Sequence, residues 1–353
     1  MLEINNQQLM NESILKKRWK KFKTLKRGYY SLVALTILYG ISFLLPMLIN
    51  NRALMVKYDG SYYFPVFSGY ISGEEFGQDV PGEARYRQLK TKFSLEKNIG
   101  NWVWMPPYPY SPYEDITTEG NKMYESPSKK HWLGTDNTGR DVFSRVIIAT
   151  RLDLLISVTA VAISFICGSL IGAVAGYFGG WFDKVSGRLI DTIMAFPLFV
   201  LAMGIVAALG NTVENIVYAT AIINLPFYAR VARAEVNVRR DSGFVHAAKL
   251  SGNSDFRVLA LHIYPNTLPP MMVQASLNMG WAILNAAGLS FIGLGVRPPT
   301  AEWGIMVAEG ANFIVSGEWW LAFFPGIALM LAVFTFNLLG DCLRDIVDPR
   351  QRT

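Results

Sequence analysis

The sequence lacks the motifs by which a chain binds a nucleotide or performs hydrolysis. It has no G-x-x-x-x-G-K-[ST] loop to hold the phosphates of ATP. It also has no H-E-x-x-H or G-x-S-x-G segment, and no pair of carboxylates falls at the centre of a hydrophobic span. These absences argue against an ATPase, a zinc protease and a serine hydrolase, so an energy-driven activity must draw its energy from another protein.

Cysteine and histidine are also scarce. Cys167 and Cys342 are far apart and fit no metal spacing, so we expect two reduced thiols that act as small hydrophobic side chains. The three histidines, His131, His246 and His262, are spread along the chain, and the topology below puts the first on the opposite side of the membrane from the other two. We therefore predict no metal site. No cleavable signal peptide is evident, and the first hydrophobic stretch is interpreted as an uncleaved span.

Apolar residues make up 51% of the 353 residues and fall in long blocks without charge, which is typical of a membrane protein. A span needs about 20 apolar residues. The pattern predicts an all-α membrane protein with six transmembrane helices. They are Ser31–Ile49, Leu154–Phe178, Thr192–Leu209, a weaker span that starts near Asn215, one within Ile263–Gly295, and Trp319–Gly340.

The net charge of +6 is concentrated in a basic run over residues 16–27, directly before the first span. Such a run is more simply explained as a cytoplasmic anchor than as a nucleic-acid site, since no stacking aromatics or recognition fold accompany it. Basic residues also favour the cytoplasm for the loops near Lys184 and Arg230 and for the tail with Arg344. We therefore expect a multi-pass membrane protein with both termini in the cytoplasm.

The spans and charges together predict five parts. Residues 1–30 form a basic cytoplasmic segment and 31–49 the first helix. Residues 50–150 form an extracytoplasmic insert with a surface helix, 151–343 the transmembrane core with a loop at 238–262, and 344–353 a cytoplasmic tail. The insert is rich in aromatic and turn-forming residues, and Val56 to Phe67 alternates as a hairpin does. It is either a cap that packs on itself or a docking surface for a soluble partner, since Tyr and Trp are favoured at interfaces.

Small residues recur every four positions in the second span, at Gly168, Gly172, Gly176 and Gly180. This spacing places them on one face of a helix and allows another helix to approach closely. It indicates helix packing rather than catalysis.

The stretch from Phe244 to Pro265 carries the clearest functional signal. Asp241 or Ser242 is suited to cap a helix start, the following alanines favour helix, and Gly252 is suited to a left-handed helix end. A short helix between two spans has little reason to exist unless a partner binds it. The pattern resembles the coupling loop, or EAA loop, of ABC importer permeases, and the matching positions are His246, Ala247, Ala248, Gly252, His262 and Pro265. His246 stands where that family has an acidic residue, so a salt bridge from this position is not expected.

Four further stretches resemble the second, C-type permease of dipeptide and oligopeptide importers. They are His131 to Asp141, Gly179 to Asp183, Leu289 to Gly295 with Pro298 and Pro299, and Asn337 to Arg350, and they agree in order and spacing. Ala286 stands where that branch often has glutamate. A shorter resemblance, from Val56 to Pro65, is to the microcin C-type peptide importer.

The resemblance implies the type I permease fold and a larger assembly. A second homologous permease would complete the translocation path, two ATPase subunits would bind ATP and magnesium, and an extracytoplasmic binding protein would deliver a peptide. It also implies a contact with the ATPase through Phe244, Ala247, Ala248, Gly252, His262 and Pro265. Relatives of this branch also carry nickel complexes, glutathione and sugars, so an importer of a non-peptide solute is the alternative.

Three polar residues of the fifth span, Gln274, Asn278 and Asn285, fall near one helix face and are candidates to line the path. Polar contacts between neighbouring helices are an equally good explanation. Two rival classes are an intramembrane enzyme and a receptor or channel that acts alone. The shortage of ionisable groups within the spans argues against the first, and the coupling loop argues against the second.

Overall fold

The computed structural model describes residues 14–79, 82–95, 100–114 and 122–347. Within these ranges the chain divides into two units. The first unit contains residues 14–36, 155–295 and 329–347, and the second contains residues 37–154 and 296–328.

Helices make up most of the regular secondary structure in both units, and the second unit also contains a small sheet. The helices are α1 (Ile14–Thr24), α2 (Lys26–Leu48), α3 (Pro65–Ser68), α4 (Tyr86–Leu95), α5 (Val142–Phe178), α6 (Gly180–Ala195), α7 (Leu198–Leu209), α8 (Val213–Arg239), α9 (Gly243–Leu250), α10 (Asp255–Arg257), α11 (Tyr264–Phe291), α12 (Trp303–Ala311) and α13 (Trp320–Val347). A 3-10 helix lies at Gly73–Phe76 and a π-helix at Val258–Ile263. The strands are β1 (Met55–Tyr58), β2 (Ser61–Tyr63) and β3 (Trp102–Trp104).

Six helical segments occupy the positions of the six predicted spans. Among the described residues, α2, α5 and α13 are long and apolar enough to cross a bilayer, and the bent pair of α6 and α7 adds a fourth candidate. The remaining two, α8 and α11, have 27 and 28 residues but carry more polar side chains. Both exceed the length of about 20 residues that a crossing requires.

The third predicted span, Thr192–Leu209, is not a single straight helix. The chain bends by 93° between α6 and α7. Pro197 precedes α7, and Phe196 adopts an extended conformation with φ −88° and ψ 146°. A residue before proline is driven out of the helical region by a steric clash with the proline ring, so the helix ends there.

The glycine spacing in the second span marks a close helix contact, as predicted, for three of its four members. A Cβ on Gly168 would lie 2.6 Å from the carbonyl oxygen of Leu225, and one on Gly176 would lie 2.7 Å from that of Arg233. A Cβ on Gly172 would collide with the backbone of Ala229. Because both sets of residues ascend together in steps of four, α5 and α8 run parallel along this seam. Gly180 takes no part, since it has φ +63° and open space around it.

The predicted hairpin in the insert is present. Strands β1 and β2 pair antiparallel, and the sheet order is β2-β1-β3. The turn residues Asp59 and Gly60 both have positive φ, of 45° and 80°, as a tight hairpin turn requires. The inner face of the sheet packs on a core that includes Val56, Phe76 and Leu89. Residues 142–150, the last part of the predicted insert, belong to α5, which begins at Val142.

A buried polar network lies in the second unit. The Asp141 carboxylate accepts hydrogen bonds from the Tyr108 hydroxyl at 2.7 Å and from the backbone N–H of Ser144 at 2.7 Å. Nδ1 of His131 lies 2.8 Å from the same carboxylate. Close by in the sequence, Arg140 and Arg145 form ion pairs with Asp136 at 2.7 and 3.6 Å. All of these side chains are buried, so each depends on its partners within the unit.

Candidate coupling loop and translocation residues

The backbone conformations of Ser242 and Gly252 mark the two ends of the short helix α9. Ser242 occupies the N-cap position with extended backbone, but its hydroxyl donates to the carbonyl of Arg239 at 2.5 Å instead of capping α9. After the helix, Gly252 has φ +82°, and its N–H donates to the Lys249 carbonyl at 3.0 Å. The predicted left-handed end at Gly252 is therefore confirmed, and glycine is suited to it because it has no Cβ to clash.

The two faces of α9 differ in exposure. Val245 and Ala248 are buried in a cluster that also contains Ala173 of α5, Val236 of α8 and the π-helix. Phe244 and Ala247 are exposed, and Leu250 is 90% exposed. Ala248 thus packs against its own chain and supports α9 from below, whereas Phe244, Ala247 and Leu250 form the face available to a partner.

The loop joins α11 through the π-helix at Val258–Ile263. Pro265 has no N–H, so it cannot complete the helical hydrogen bond at this junction, where a wider π-turn precedes α11. His262 lies within this π-helix and is half-buried, and its carbonyl accepts a hydrogen bond from Nδ2 of Asn266 at 2.7 Å. The predicted pair His262 and Pro265 therefore lies at an irregular joint between loop and span, and Pro265 is exposed.

Polar side chains connect the loop to the end of α5. The hydroxyl of Tyr177 donates to Oδ1 of Asp255 at 2.6 Å, and Nζ of Lys249 lies 3.0 Å from the same oxygen. The hydrogen bond from Tyr177 is the main cause of a lowered pKa at Asp255, and the bond to Asp255 is the main cause of a raised pKa at Lys249. An open cleft of about 330 Å³ lies beside them, and Arg240 also lines it. Sequence patterns did not indicate this group, because Tyr177 is 78 positions from Asp255 in the chain.

The three candidate path residues have partners on α11 itself. Nε2 of Gln274 donates to Oδ1 of Asn278 at 2.9 Å, and Nδ2 of Asn285 donates to the carbonyl of Trp281 at 3.0 Å. Asn278 and Asn285 are 7% and 6% exposed, and Gln274 is half-buried. In this conformation the two asparagines lie inside the first unit, which favours the alternative interpretation as contacts within the helix bundle.

A row of buried polar side chains on α8 was not predicted from the sequence. Thr220, Asn224 and Tyr228 are four residues apart and fully buried. Nδ2 of Asn224 donates to the carbonyl of Thr220 at 2.8 Å, and the Tyr228 hydroxyl lies near Asn278 of α11 and Ser164 of α5. The four-residue spacing was readable in the sequence, but it falls in the weakest predicted span.

The two cysteines are free thiols, with Cys167 exposed and Cys342 buried. Within the described ranges, no three side chains of His, Cys, Asp or Glu converge so that they could hold a metal ion.

Comparison with known proteins gives a family match over the second half of the chain. Residues 168–353 match the family described as "Binding-protein-dependent transport system inner membrane component". The insert lies outside this match.

Curated relatives extend the similarity. The dipeptide transport system permease protein DppC of Alkalihalophilus pseudofirmus is 43% identical over 237 residues, which are 67% of this chain and 77% of the relative. The probable D,D-dipeptide transport system permease protein DdpC of Escherichia coli is 46% identical over 64% of this chain and 75% of the relative. The glutathione transport system permease protein GsiD of Pectobacterium atrosepticum is 38% identical over 72% of this chain and 83% of the relative. Together with the family match, these relatives show that the chain belongs to the binding-protein-dependent inner membrane components, the mostly helical, multi-pass type I permeases of ABC transporters, which are not enzymes.

Proposed function

We propose that this chain is one of the two permeases of an ABC importer for short peptides. The observation that carries the proposal is the loop at residues 238–262, in which α9 is anchored by Val245 and Ala248 and presents Phe244, Ala247 and Leu250 outward. Two relatives with more than 40% identity are named as dipeptide permeases, which supports a peptide as the transported solute.

The proposed assembly contains a second, homologous permease, two ATPase subunits and an extracytoplasmic binding protein. ATP and magnesium bind to the ATPases, because this chain has no phosphate-binding loop. The chain itself lies in the lipid bilayer with both termini in the cytoplasm, and nucleic acid is no partner. The parallel direction of α5 and α8 along the glycine seam supports this topology, since both helices would then run toward the side that holds the loop.

In the proposed mechanism each ATPase holds one coupling helix. When ATP closes the two ATPases, α9 moves with them, and its contacts with the ATPase differ between the two states. Such a difference in affinity is required for any partner to shift a conformational equilibrium. Gly252 provides the tight turn after α9, and the joint at His262 and Pro265 passes the displacement to α11. Gln274, Asn278 and Asn285 are proposed to reach the path only when the helices rearrange.

The insert is proposed to bind the binding protein through the outer face of its sheet. Tyr62, Trp102 and Trp104 are exposed on that face, and Lys57 lies between the first two with its Nζ 5.7 Å from the centre of the Tyr62 ring. Exposed aromatic side chains of this kind are favoured in protein interfaces. The alternative, a cap that packs only on itself, is supported by the buried core under the sheet.

Co-purification and uptake test the proposal together. The tagged chain, expressed with its neighbouring genes, is expected to bring down two ATPases and a second permease, and proteoliposomes of this complex should accumulate a radiolabelled dipeptide when ATP is supplied. Trp104→Ser should weaken capture of the binding protein and leave the ATPases bound, whereas Leu95→Ser, at an exposed residue of α4, should change neither.

If the tagged chain never co-purifies with an ATPase, the importer assignment is wrong. Glutathione is the second candidate solute, because a relative with 38% identity is named for it. ATP-driven uptake of glutathione without uptake of dipeptides would replace the peptide assignment and keep the importer.

A further inference from the structure

The last turn of α5 contacts the chain on both sides of the coupling helix. On the approach to α9, Nη1 of Arg240 donates to the carbonyl of Gly176 at 3.4 Å. Beyond α9, the Tyr177 hydroxyl donates to Asp255 at 2.6 Å. Lys249 completes the second contact, since its Nζ lies 3.0 Å from Asp255 and 5.2 Å from the centre of the Tyr177 ring.

These polar contacts contribute little to folding. The side chains of Lys249 and Asp255 are 47% and 57% exposed, and ion pairs at such exposure have small effects on the free energy of unfolding. The apolar cluster of Val245, Ala248 and their neighbours beneath them holds α9 in place. Apolar contacts are not directional, whereas a hydrogen bond weakens steeply once its angle falls below about 120°. The polar group therefore specifies the orientation of α9 relative to α5, which the cluster alone does not.

The backbone around this group contains glycines where it can pivot. Gly252 has φ +82° and open space around it, directly between Lys249 and Asp255. Gly179 and Gly180, with φ +64° and +63°, follow α5 at once, and a Cβ added to either would meet nothing within 4 Å. A load applied to α9 alone would turn the helix about Gly252. Because Lys249 of α9 pairs with Asp255, and Asp255 accepts a hydrogen bond from Tyr177, the same load acts on α5. The two glycines allow the chain to pivot between α5 and α6.

We infer that Tyr177, Lys249 and Asp255 form a clasp, a set of positioning residues that makes α9 and the end of α5 move as one body when the ATPases close. The inference rests on the proposed function, because it requires an ATPase that loads α9. Displacement of α9 by the ATPases would then be transmitted in two ways. One is along the chain, through the π-helix into α11, and the other is through the clasp directly into α5.

The test compares coupling in the complete importer, reconstituted with its binding protein. The variants are Asp255→Asn, Tyr177→Phe, Lys249→Asp and the charge-swapped pair Lys249→Asp with Asp255→Lys. The readout is the number of ATP molecules hydrolysed per radiolabelled dialanine taken up. Asp255→Asn and Lys249→Asp should raise this ratio at least about fivefold, the lower end of measured allosteric couplings. Tyr177→Phe should raise it less, because the ring under Lys249 remains.

The matched control is Asp191→Asn. Asp191 of α6 forms a similarly exposed ion pair with Arg230 of α8, at 2.7 Å, and neither residue belongs to α9. This variant should keep the wild-type ratio, and the charge-swapped pair should return toward it. A merely structural role would lower the yield or thermal stability of the variants without changing the ratio and without rescue by the swap. Wild-type ratios in Asp255→Asn and Tyr177→Phe would overturn the clasp.

A second measurement does not depend on the solute. Spin labels at Phe178→Cys and Leu250→Cys, both exposed, report the distance across the clasp in a chain in which Cys167 and Cys342 are replaced. The distance distribution should be the same with and without ATP plus vanadate, and Asp255→Asn should broaden it. A clear change of distance in the wild-type chain contradicts movement as one body. If dialanine is not taken up while this distance stays fixed, the peptide assignment fails and the clasp stands.

Discussion

The two ends of α5 are held to their neighbours by opposite means. From Gly168 to Gly176, the glycines of α5 have no side chains, so the backbone of α5 packs directly against the backbone of α8. Near its start, Ser144 and Arg145 belong to the buried polar network around Asp141 and Asp136. In lipid, apolar surfaces gain little from mutual burial, so close packing holds helices together, whereas a buried polar network is stable only when every member is paired. Side-chain size therefore decides which residues fit the glycine seam, whereas hydrogen-bonding capacity decides which residues fit the polar network.

The largest effect is expected from filling the seam. Gly172→Leu places a side chain where the backbone of Ala229 lies, so α5 and α8 must separate. We expect a large part of the folded protein to be lost, because overpacking that shifts the backbone typically costs about 1–3 kcal/mol and occasionally more. The measurement is the monodisperse yield in detergent by fluorescence-detected size exclusion. Gly204→Ala in α7, which has open space around it, is the control and should match the wild type.

The next largest effect is expected in the buried polar network, from a substitution that keeps the side-chain volume and changes its hydrogen bonding. Asp141→Asn keeps the volume but replaces one acceptor oxygen by a donor, which faces Tyr108, His131 or Ser144. Leaving a buried polar group unpaired costs about 1–3 kcal/mol. We expect a lower midpoint of thermal unfolding by tryptophan fluorescence. Asp59→Asn, in the hairpin turn where asparagine also tolerates positive φ, should leave the midpoint unchanged, and equal stability of both variants would contradict the contrast.

A smaller effect separates two uses of glycine. At Gly252 the requirement is a φ of +82° in open space, whereas at Gly172 it is room. Gly252→Asp should cost about 1–2 kcal/mol in backbone strain, so the protein should stay in the membrane. In the assembled importer, the partner ATPases should still hydrolyse ATP but with little uptake, because the turn after α9 is distorted. Gly243→Ala, at a position with ordinary φ, is the control. Full uptake by Gly252→Asp would show that this turn is not required for coupling.

The smallest effect appears only in alkali. Burial, and then the nearby Asp141 carboxylate, raise the pKa of Tyr108 above its ordinary value near 10. Above that pH the unfolded chain releases a proton that the folded chain keeps, so stability falls as pH rises, by about 1.4 kcal/mol per pH unit for each such group. Tyr108→Phe should lower stability slightly at pH 8 and make the alkaline decline shallower. Thermal unfolding from pH 8 to 11 measures both, and an unchanged slope would contradict the assignment.

Local patterns predicted the features that depend on one residue or one helix. The spacing of Gly168, Gly172 and Gly176 indicated a packed face, and Gly252 indicated a left-handed end, because each requires a side chain to be absent. The third span was predicted as one segment from Thr192 to Leu209, since the hydropathy on both sides of Pro197 is continuous and only the steric effect of proline on Phe196 interrupts the helix. The contact of Tyr177 with Asp255 joins residues 78 positions apart, and tertiary packing alone brings them together.

The length of α5 has a mechanical consequence. Its 37 residues, which include no proline, make a rod about 55 Å long, nearly twice the roughly 30 Å of a hydrocarbon core. A tilt of about 5° about its midpoint would displace each end by roughly 2–3 Å, given that length. A small rotation imposed at Tyr177 would therefore reach Val142 as a displacement close to the length of a hydrogen bond, without any helix having to bend or melt.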